Sequence, residues 1–580
     1  MVREYSNRTQ SLFRLLMGLV IVMSVVVMSG FLFNRFDLTE EKRHTLKDAT
    51  IEMLENLEDV VFVKVYLKGE YPAEYKRLER EIKERLDEMK AYAGARLEYE
   101  FINPSESEDN ETRNKFYQFL QDEGLQYTNI TFRTNDGISE KIIFPGAIIT
   151  YRGESAPLQL LKSNERAADP EIINNSVINL EYEFAHTIRR VTSKKKPSIA
   201  FIQGHSELSR METADAEKLL SESYQVARVE ISGQLNSLST AISEDGKQRL
   251  NSHDLLIIAD PDSTFSDTDM FLLDQYIMRG GKIMWFVDPI MTDLDSLRTQ
   301  QQTMGLPRKL GIEEMLFDYG VRLNNNILLD RNCAPIGITT GMRGNQPQIE
   351  LFPWYFQPKL VPRSQHPIVG NIDPILTEFV SSIDTISQPG VKKTILLTTS
   401  EFTRVLRPPV RINLNIVSID PDFGNKKQPY QPVAVILEGQ FESAFKNRIS
   451  PTYIQEGFKF VEKSLNTSML IVSDGDILKN KLSSDGKNYF TLGYDRYTQN
   501  KIYGNREFLL NAVNYMLDET SLISIRTKGI KLRQLDQEYL MKNKGRVQAF
   551  NMLIPLLLIL ILGLVSNFMR KMRYSKSEKA

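Results

Sequence analysis

A single cysteine, Cys333, stands among the 580 residues of the chain. Internal disulfides, CxxC redox chemistry and cysteine-rich zinc sites are therefore excluded, while the redox compartment stays open. Charge of either sign is not in excess: Lys+Arg number 72 and Asp+Glu 74, for a formal net charge of -2. A nucleic-acid-binding chain would carry a basic footprint, and this one does not. There are only 5 histidines, His44, His186, His205, His253 and His366, and no two have metal-ligand spacing on one helix face. No G-x-x-x-x-G-K-[ST] phosphate cradle occurs; Gly280-Gly281-Lys282 opens a strand and lacks the hydroxyl residue after the lysine. ATP hydrolysis by that route is excluded. Neither a G-x-G-x-x-G dinucleotide loop nor a G-x-S-x-G nucleophile elbow is present. With 41% hydrophobic and 25% charged residues, the chain is too polar for a many-span transporter and too apolar for disorder over most of its length. Its length suits about four domains.

Two long apolar runs are present, one near each end. Leu15–Phe33 (LLMGLVIVMSVVVMSGFLF) is 19 residues without a charge, and Met552–Met569 is interrupted only by Pro555, Ser566 and Asn567. Each approaches the roughly 20 residues that cross a bilayer. The first exceeds the apolar core of a signal peptide and has no small-x-small cleavage site after it, so an uncleaved anchor is expected. No cysteine follows for lipid attachment; a buried core helix is the alternative for either run. Arg3, Arg8 and Arg14 precede the first run, and Arg570, Lys571, Arg573, Lys576 and Lys579 follow the second. Arg35, Lys42, Arg43, Lys542, Lys544 and Arg546 flank them on the inner side. The balance of positive charge places both termini in the cytoplasm and residues 34–550 outside.

The intervening chain reads as α/β. Asp59–Leu67 and Ala95–Asn103 have strand patterns. Between them Glu74–Ala93 carries the stripe Tyr75, Leu78, Ile82, Leu86 and Met89, which predicts an amphipathic helix. A helix over Glu111–Glu123 and paired strands Tyr127–Arg133 and Lys141–Tyr151 around Asn135-Asp136-Gly137 complete a β-α-β-α-β-β order. That order is thioredoxin-like, though other small α/β folds share it. Asp169–Val191 predicts a helix leading to the basic, Pro-terminated linker 193–197.

Strands at Ser198–Gln203, Gln225–Ile231, Asp254–Ala259 and Lys282–Val287 then alternate with helices at Met211–Ser223 and Ser266–Met278. This predicts a mostly parallel, doubly wound sheet. The strand Asn326–Leu329, after a helix over Ile312–Tyr319, extends it. Strands at Lys392–Thr399, Pro432–Gly439 and Ser468–Asp474, and a helix over Asn505–Leu517, follow. Pro335–Pro374, rich in Pro, Gly and Gln, reads as an extended surface loop bearing Trp354 in the cluster Phe352–Phe356. Ligands of such sheets sit beyond the carboxyl ends of strands, where His205, Glu207, Asp260, Asp262 and Asp288 stand. His205 is either a functional histidine or part of a capping loop. Asp260, Asp262, Asp267 and Asp269 are either a calcium cluster or helix caps, and the EF-hand spacing is missing. The sheet also looks like that of class I glutamine amidotransferases, but Cys333 lacks the strand-to-helix context of a nucleophile. No cofactor is implied.

Several stretches resemble a known family. They are Asp37–Leu46 (DLTEEKRHTL), Phe101–Glu106 (FINPSE), Ile143–Gly146 (IFPG), Asn179–Glu183 (NLEYE) and Ile199–Glu207. With the two-anchor layout they resemble ABC-transporter auxiliary proteins, closely those of the GldG type from Bacteroidetes. The resemblance implies an inner-membrane protein with a periplasmic domain. It further implies an ABC ATPase subunit (GldA-like) and an ABC permease subunit (GldF-like) as partners, with a role in gliding motility and type IX secretion. No catalytic residue carries over, so a non-enzymatic subunit is expected. The layout is then a cytoplasmic 1–14, a span over 15–33, a thioredoxin-like α/β domain over 34–192 and a doubly wound, amidotransferase-like parallel-sheet domain over 193–517. A juxtamembrane helical segment over 518–550, a span over 551–569 and a tail over 570–580 follow. The rival readings are an anchored periplasmic enzyme using His205, Glu207, Asp260 and Asp262, and an envelope scaffold binding through the loop around Trp354.

Overall fold

The computed structural model of the chain describes residues 15–21, 23–24, 45–107, 109–134, 137–161, 170–193, 196–231, 233–234, 236–242, 248–292, 297, 302–344, 346–370, 372–418, 421–448, 459–483, 485–495, 497–498, 501–518, 522 and 537–575. It divides into two units, Met1–Lys528 and Gly529–Ala580.

The first unit begins with helical residues 15–21 and 23–24, where Leu15 and Leu19 are exposed. The rest of the expected first span lies outside the described residues. Then come α1 (Asp48–Glu55), β1 (Val61–Val65), α2 (Ala73–Ala93), β2 (Leu97–Phe101) and α3 (Asn110–Asp122). Strands β3 (Thr128–Thr134), β4 (Gly137–Ile143), β5 (Gly146–Tyr151) and β6 (Glu154–Gln159) lead to α4 (Pro170–Thr192). β1 pairs in parallel with β2 and antiparallel with β5, which pairs antiparallel with β6. α2 forms where its stripe predicts it: Leu78, Ile82, Leu86 and Met89 share one face and are all fully buried. α3 starts at Asp109, whose carboxylate accepts from the Thr112 amide at 2.9 Å. The expected strand Lys141–Tyr151 is two strands. β3 and β4 form a separate hairpin, and the chain breaks at Phe144-Pro145 before β5 enters the four-stranded sheet. Pro145 stands at the break with no amide to donate to a ladder, and Gly146 follows where a Cβ would lie 2.7 Å from Leu125 Cδ2 and 3.0 Å from the Leu158 carbonyl oxygen.

A larger sheet follows. Its elements are β7 (Ser198–Gln203), α5 (Ala214–Ser221), β8 (Gln225–Glu230), β9 (Leu255–Ala259), α6 (Asp267–Met278), β10 (Lys282–Phe286) and α7 (Glu313–Tyr319). Next are β11 (Cys333–Arg343), β12 (Gln346–Leu360), β13 (Val391–Thr398), β14 (Pro432–Gly439), β15 (Thr467–Val472) and α8 (Asn505–Leu517). The seven-stranded order is β13-β14-β15-β10-β9-β7-β8. The run from β15 to β8 is parallel, and β14 is antiparallel to both its neighbours. Successive side chains alternate across the sheet. Ile199 and Phe201 pack against Leu220 of α5 and Phe508 and Val513 of α8. Ala200 and Ile202 pack on the opposite face against Leu273 and Tyr276 of α6 and Leu316 of α7. Burial on both faces explains why these strands read as continuous apolar runs.

Two expectations fail in this part. The strand after α7, Ile327–Asp330, leaves the large sheet and pairs with Thr403–Leu406. Asp330 directs it: its buried carboxylate accepts from the Ser400 amide and hydroxyl, both at 2.6 Å, and from the Thr403 hydroxyl at 2.9 Å. Most of the expected loop Pro335–Pro374 is a ribbon in which β11 and β12 pair antiparallel. Its prolines and glycines mimic a loop signal, and register shifts between Cys333 and Pro335 and between Thr339 and Gly341 accommodate them.

The second unit holds α9 (Gln537–Ser575), interrupted by a non-helical Asn543 and containing Pro555. Its stretch Asn543–Met569 is 27 residues long and holds an apolar window of 18 residues with mean hydropathy 2.5, none of it buried. At about 1.5 Å per residue it exceeds the roughly 30 Å of a bilayer core. Among the described residues it is the one helix long and apolar enough to cross a membrane, and it suggests membrane anchoring.

Asp274 of α6 joins three segments of the larger sheet's cover. Its carboxylate, wholly buried, accepts from the Tyr319 hydroxyl at 2.7 Å, the Ser443 hydroxyl at 2.7 Å and the Ala444 amide at 2.9 Å. Asp274→Ala strands those donors and is expected to cost about 3 kcal/mol. A thermal midpoint lowered by several degrees would show it, and an unchanged midpoint would contradict it.

Candidate functional site

The parallel strands β7, β9, β10 and β15 deliver their carboxyl ends to one edge. The loops that leave it are Gly204–Glu207, Asp260–Asp262, Val287–Asp288 and Ser473–Asp476. Such an edge is where open α/β sheets bind ligands.

His205 is 4% exposed and stacks on Phe265 with ring centroids 3.7 Å apart. Both ring nitrogens face carboxylates: Nε2 is 3.3 Å from Asp269 Oδ2 and Nδ1 is 3.4 Å from Glu207 Oε1. The His205 amide donates to Glu207 Oε2 at 2.8 Å, and its carbonyl accepts from the Asp262 and Ser263 amides at 2.9 and 3.0 Å. Asp269 also accepts from Ser266, the cap of α6, at 2.6 Å, and from the Gly233 amide at 2.8 Å. Ser206, next to the imidazole, bonds Ser263 at 2.9 Å. The histidine therefore clasps the β7 loop to the start of α6. The geometry presents no pairing of a base with a nucleophile here.

Asp260 adopts a left-handed backbone, φ 47. Arg308 reaches its Oδ1 at 2.6 Å and Asp262 Oδ1 at 3.2 Å. Beside them Asp288 Oδ1 accepts from the Gly475 amide at 2.7 Å. Gly475 passes so close to Asp260 that a Cβ would lie 2.3 Å from the Asp260 Cβ, so no other residue fits there without a shift. Asp474 Oδ2 accepts from the Glu378 amide at 2.9 Å. Lys479 lies 3.4 Å from Asp476 and 3.9 Å from Glu212. Burial pushes the Asp260 carboxyl up to about 6 in spite of Arg308, and holds Asp288 and Asp474 well above the usual carboxylate range.

Of the residues singled out in the sequence, His205, Glu207, Asp260 and Asp262 meet at this edge. Trp354 does not. Expected on a surface loop, it is fully buried on β12, with Phe356 at 5.2 Å and Phe379 at 6.5 Å between ring centroids. Alternation along β12 turns Trp354 and Phe356 to the same inner face. Arg308, Gly475, Asp474, Asp476 and Lys479 were not anticipated. The strand-end rule that selected Asp260 applies equally to Asp474-Gly475-Asp476 after β15. Arg308 has no local signal, because it arrives from a connection distant in sequence.

No group of three His, Cys, Asp or Glu among the described residues is arranged to hold a metal. Elsewhere His186 stacks on Tyr182, His253 Nδ1 pairs with the Ser198 hydroxyl at 2.7 Å, and His366 packs on Tyr515. Burial pushes the Cys333 thiol up to about 11, away from nucleophilic use. A cavity of about 420 Å³ lies between α1, Tyr151 and Arg189, and one of about 80 Å³ lies around His186, Arg190 and Asn514; neither is lined by an edge residue.

Arg308→Gln should leave Asp260 and Asp262 without their cation and destabilise the chain by about 2 kcal/mol. Without the guanidinium the Asp260 carboxyl titrates above about 6. The loss is therefore largest at pH 8 and shrinks in acid, where the carboxyl is protonated. Thermal midpoints of both proteins at pH 5.5 and 8 check this; a pH-independent deficit would contradict it.

Comparison with known proteins adds five findings. Residues 196–512 match the family described as an ABC-type uncharacterized transport system, and residues 40–150 match a domain of unknown function, DUF7088. An uncharacterized protein of Borreliella burgdorferi is 21% identical over 574 residues, covering 97% of this chain and 99% of its own. Among solved structures, the mmIFT52 N-terminal domain is similar at 12% identity and a TM-score of 0.29, covering 55% of this chain and 96% of its own. A putative ThuA-like protein from Parabacteroides merdae is similar at 10% identity and a TM-score of 0.26, covering 56% and 90%.

Proposed function

The chain belongs to the family of ABC-type uncharacterized transport-system proteins, and from that premise we propose that it is a non-enzymatic, membrane-anchored auxiliary subunit of an ABC transporter. Membership implies a separate ATPase and a separate permease as partners. The observation that carries the reading is the union, in one chain, of the family match over residues 196–512 with the exposed apolar helix Asn543–Met569. The contacts of His205, Glu207, Asp260 and Asp262 support a structural use: they clasp the strand-end loops to one another.

The finer reading is a GldG-type protein of Bacteroidetes, working with GldA-like and GldF-like subunits in gliding motility and type IX secretion. The stretches Asp37–Leu46, Phe101–Glu106 and Asn179–Glu183 support it. Spans at 15–33 and 551–569 would keep both termini in the cytoplasm and residues 34–550 in the periplasm. A thioredoxin-like domain over 34–192 is supported by the order β2-β1-β5-β6 with one parallel and two antiparallel pairs. A doubly wound, amidotransferase-like domain over 193–517 is supported by parallel strands covered on both faces.

Two anchors would hold this chain at the permease and let motion pass between ATPase and periplasm. A polar bridge within the first unit supports transmission. Tyr224 donates to Asn514 Oδ1 at 2.6 Å, Asn514 Nδ2 donates to the Tyr182 hydroxyl at 2.9 Å, and Arg189 pairs with Asp518. It ties α4 to α8 and the residues after it. A second reading, an envelope scaffold, draws on the β11–β12 ribbon, whose end exposes Met342, Ile349 and Leu351.

Removal of residues 537–580 tests the anchored-subunit reading. The truncated chain, still held by the span at 15–33, is expected to stop co-purifying with ATPase and permease and to abolish gliding in a gliding host. Assembly and motility that survive the truncation would overturn the reading.

A further inference from the structure

Acid outweighs base at the carboxyl edge of the larger sheet. Among the described residues, Asp260, Asp262, Asp288, Asp474, Asp476 and Glu378 gather there with the cations Arg308, Lys479 and Lys481. Those cations are already engaged: Arg308 by Asp260 and Asp262, Lys479 by Asp476 and Glu212, and Lys481 by Glu378 at 3.9 Å. Two of the carboxyls are enclosed, Asp474 at 0% exposure and Asp288 at 9%. Asp474 Oδ1 is buried with no hydrogen-bond partner. Among the described residues neither carboxyl is in ion-pair contact with a cation, and Arg308, bound to Asp260, acts on Asp288 only from farther away. Among the neighbours, His205 is engaged by Glu207 and Asp269.

A buried carboxylate without a counter-charge must take up a cation or a proton. No three ligands among the described residues are arranged for a metal, and the two cavities do not reach the edge. A proton needs neither a cavity nor a coordination shell. We propose that the enclosed Asp288–Asp474 cluster is a proton-binding site, and that its proton latches the Ser473–Leu478 turn onto the ends of β9 and β10. The latch has a defined seat: the Gly475 amide bonds Asp288, and Gly475 passes within van der Waals reach of Asp260.

Burial, followed by the neighbouring carboxylates, raises Asp288 and Asp474 well above the usual range. For Asp288 those neighbours are Asp260, Asp476 and Asp474, opposed by the Gly475 amide and the more distant Arg308; for Asp474 they are Asp476 and Glu378, opposed by the Glu378 and Asp476 amides, and burial outweighs these opposing groups at both. A carboxyl that binds its proton more tightly folded than unfolded stabilises fully in acid, and loses that contribution as pH rises through the folded value. The latch therefore closes in acid and loosens in base.

Hydrogen exchange read by mass spectrometry tests this on the full chain in detergent, from pH 5.5 to 8.5, with intrinsic exchange rates divided out. Amides of residues 473–478 and 260–263 are expected to be about tenfold or more better protected at the acid end, the effect of one pH unit of linkage. Asp288→Asn and Asp474→Asn are each expected to remove most of that dependence. Asp476→Asn, at a partly exposed position, deletes a neighbouring charge and should shift the transition to lower pH. Protection that does not vary with pH in the native chain would overturn the proposal. So would a dependence that survives both buried replacements, or a transition unmoved by Asp476→Asn.

Discussion

The amide of Gly475 on the carboxylate of Asp288, seated against Asp260 and held from the other side by Arg308, is the contact on which the edge of the larger sheet depends. A parallel sheet brings every strand end to one side, where the loops must find partners for their polar groups. In many such folds a ligand supplies them. Here the chain supplies them itself, with β15's exit loop laid over the ends of β9 and β10 and His205 closing the next gap. The cost is a concentration of carboxylates in a poorly solvated place, which raises their proton affinity.

The parts of the fold with a strong local signal were legible in the sequence. The apolar runs of β7, β9, β10 and β15 are buried on both faces, so nothing competes with their strand preference. The stripe on α2 gives its helix in the same way. The failures occur where a distant contact overrules local pattern. Lys141–Tyr151 looks like one strand, but on either side of Pro145 the pairing differs, β4 with β3 and β5 with β1 and β6. Ile327–Asp330 looks like a further strand of the large sheet until Ser400 and Thr403 bind Asp330. The ribbon of β11 and β12 was hidden by prolines that ordinarily end strands.

The candidate site was half legible for the same reason. His205, Glu207, Asp260 and Asp262 follow strands that could be recognised, so the carboxyl-edge rule found them. Which of them were paired, and with what, was not readable. Arg308 comes from a remote connection, and a guanidinium within 2.6 Å of Asp260 turns a would-be ligand group into an internal tie. Trp354 shows the opposite error: an aromatic cluster among prolines suggests exposure, yet pairing in a ribbon turns its indole inward.

A family of transport-system proteins and an apolar helix bare enough for a bilayer support an accessory role, and the sheet edge filled by its own loops is why we propose a subunit that works by holding position. That claim is tested most directly by purification from membranes in mild detergent through a tag at the carboxyl terminus, with the recovered proteins identified and counted. An ATPase and a multi-span permease recovered in fixed ratio is the expected result. The chain recovered alone, or with envelope proteins and no ATPase, would contradict the account.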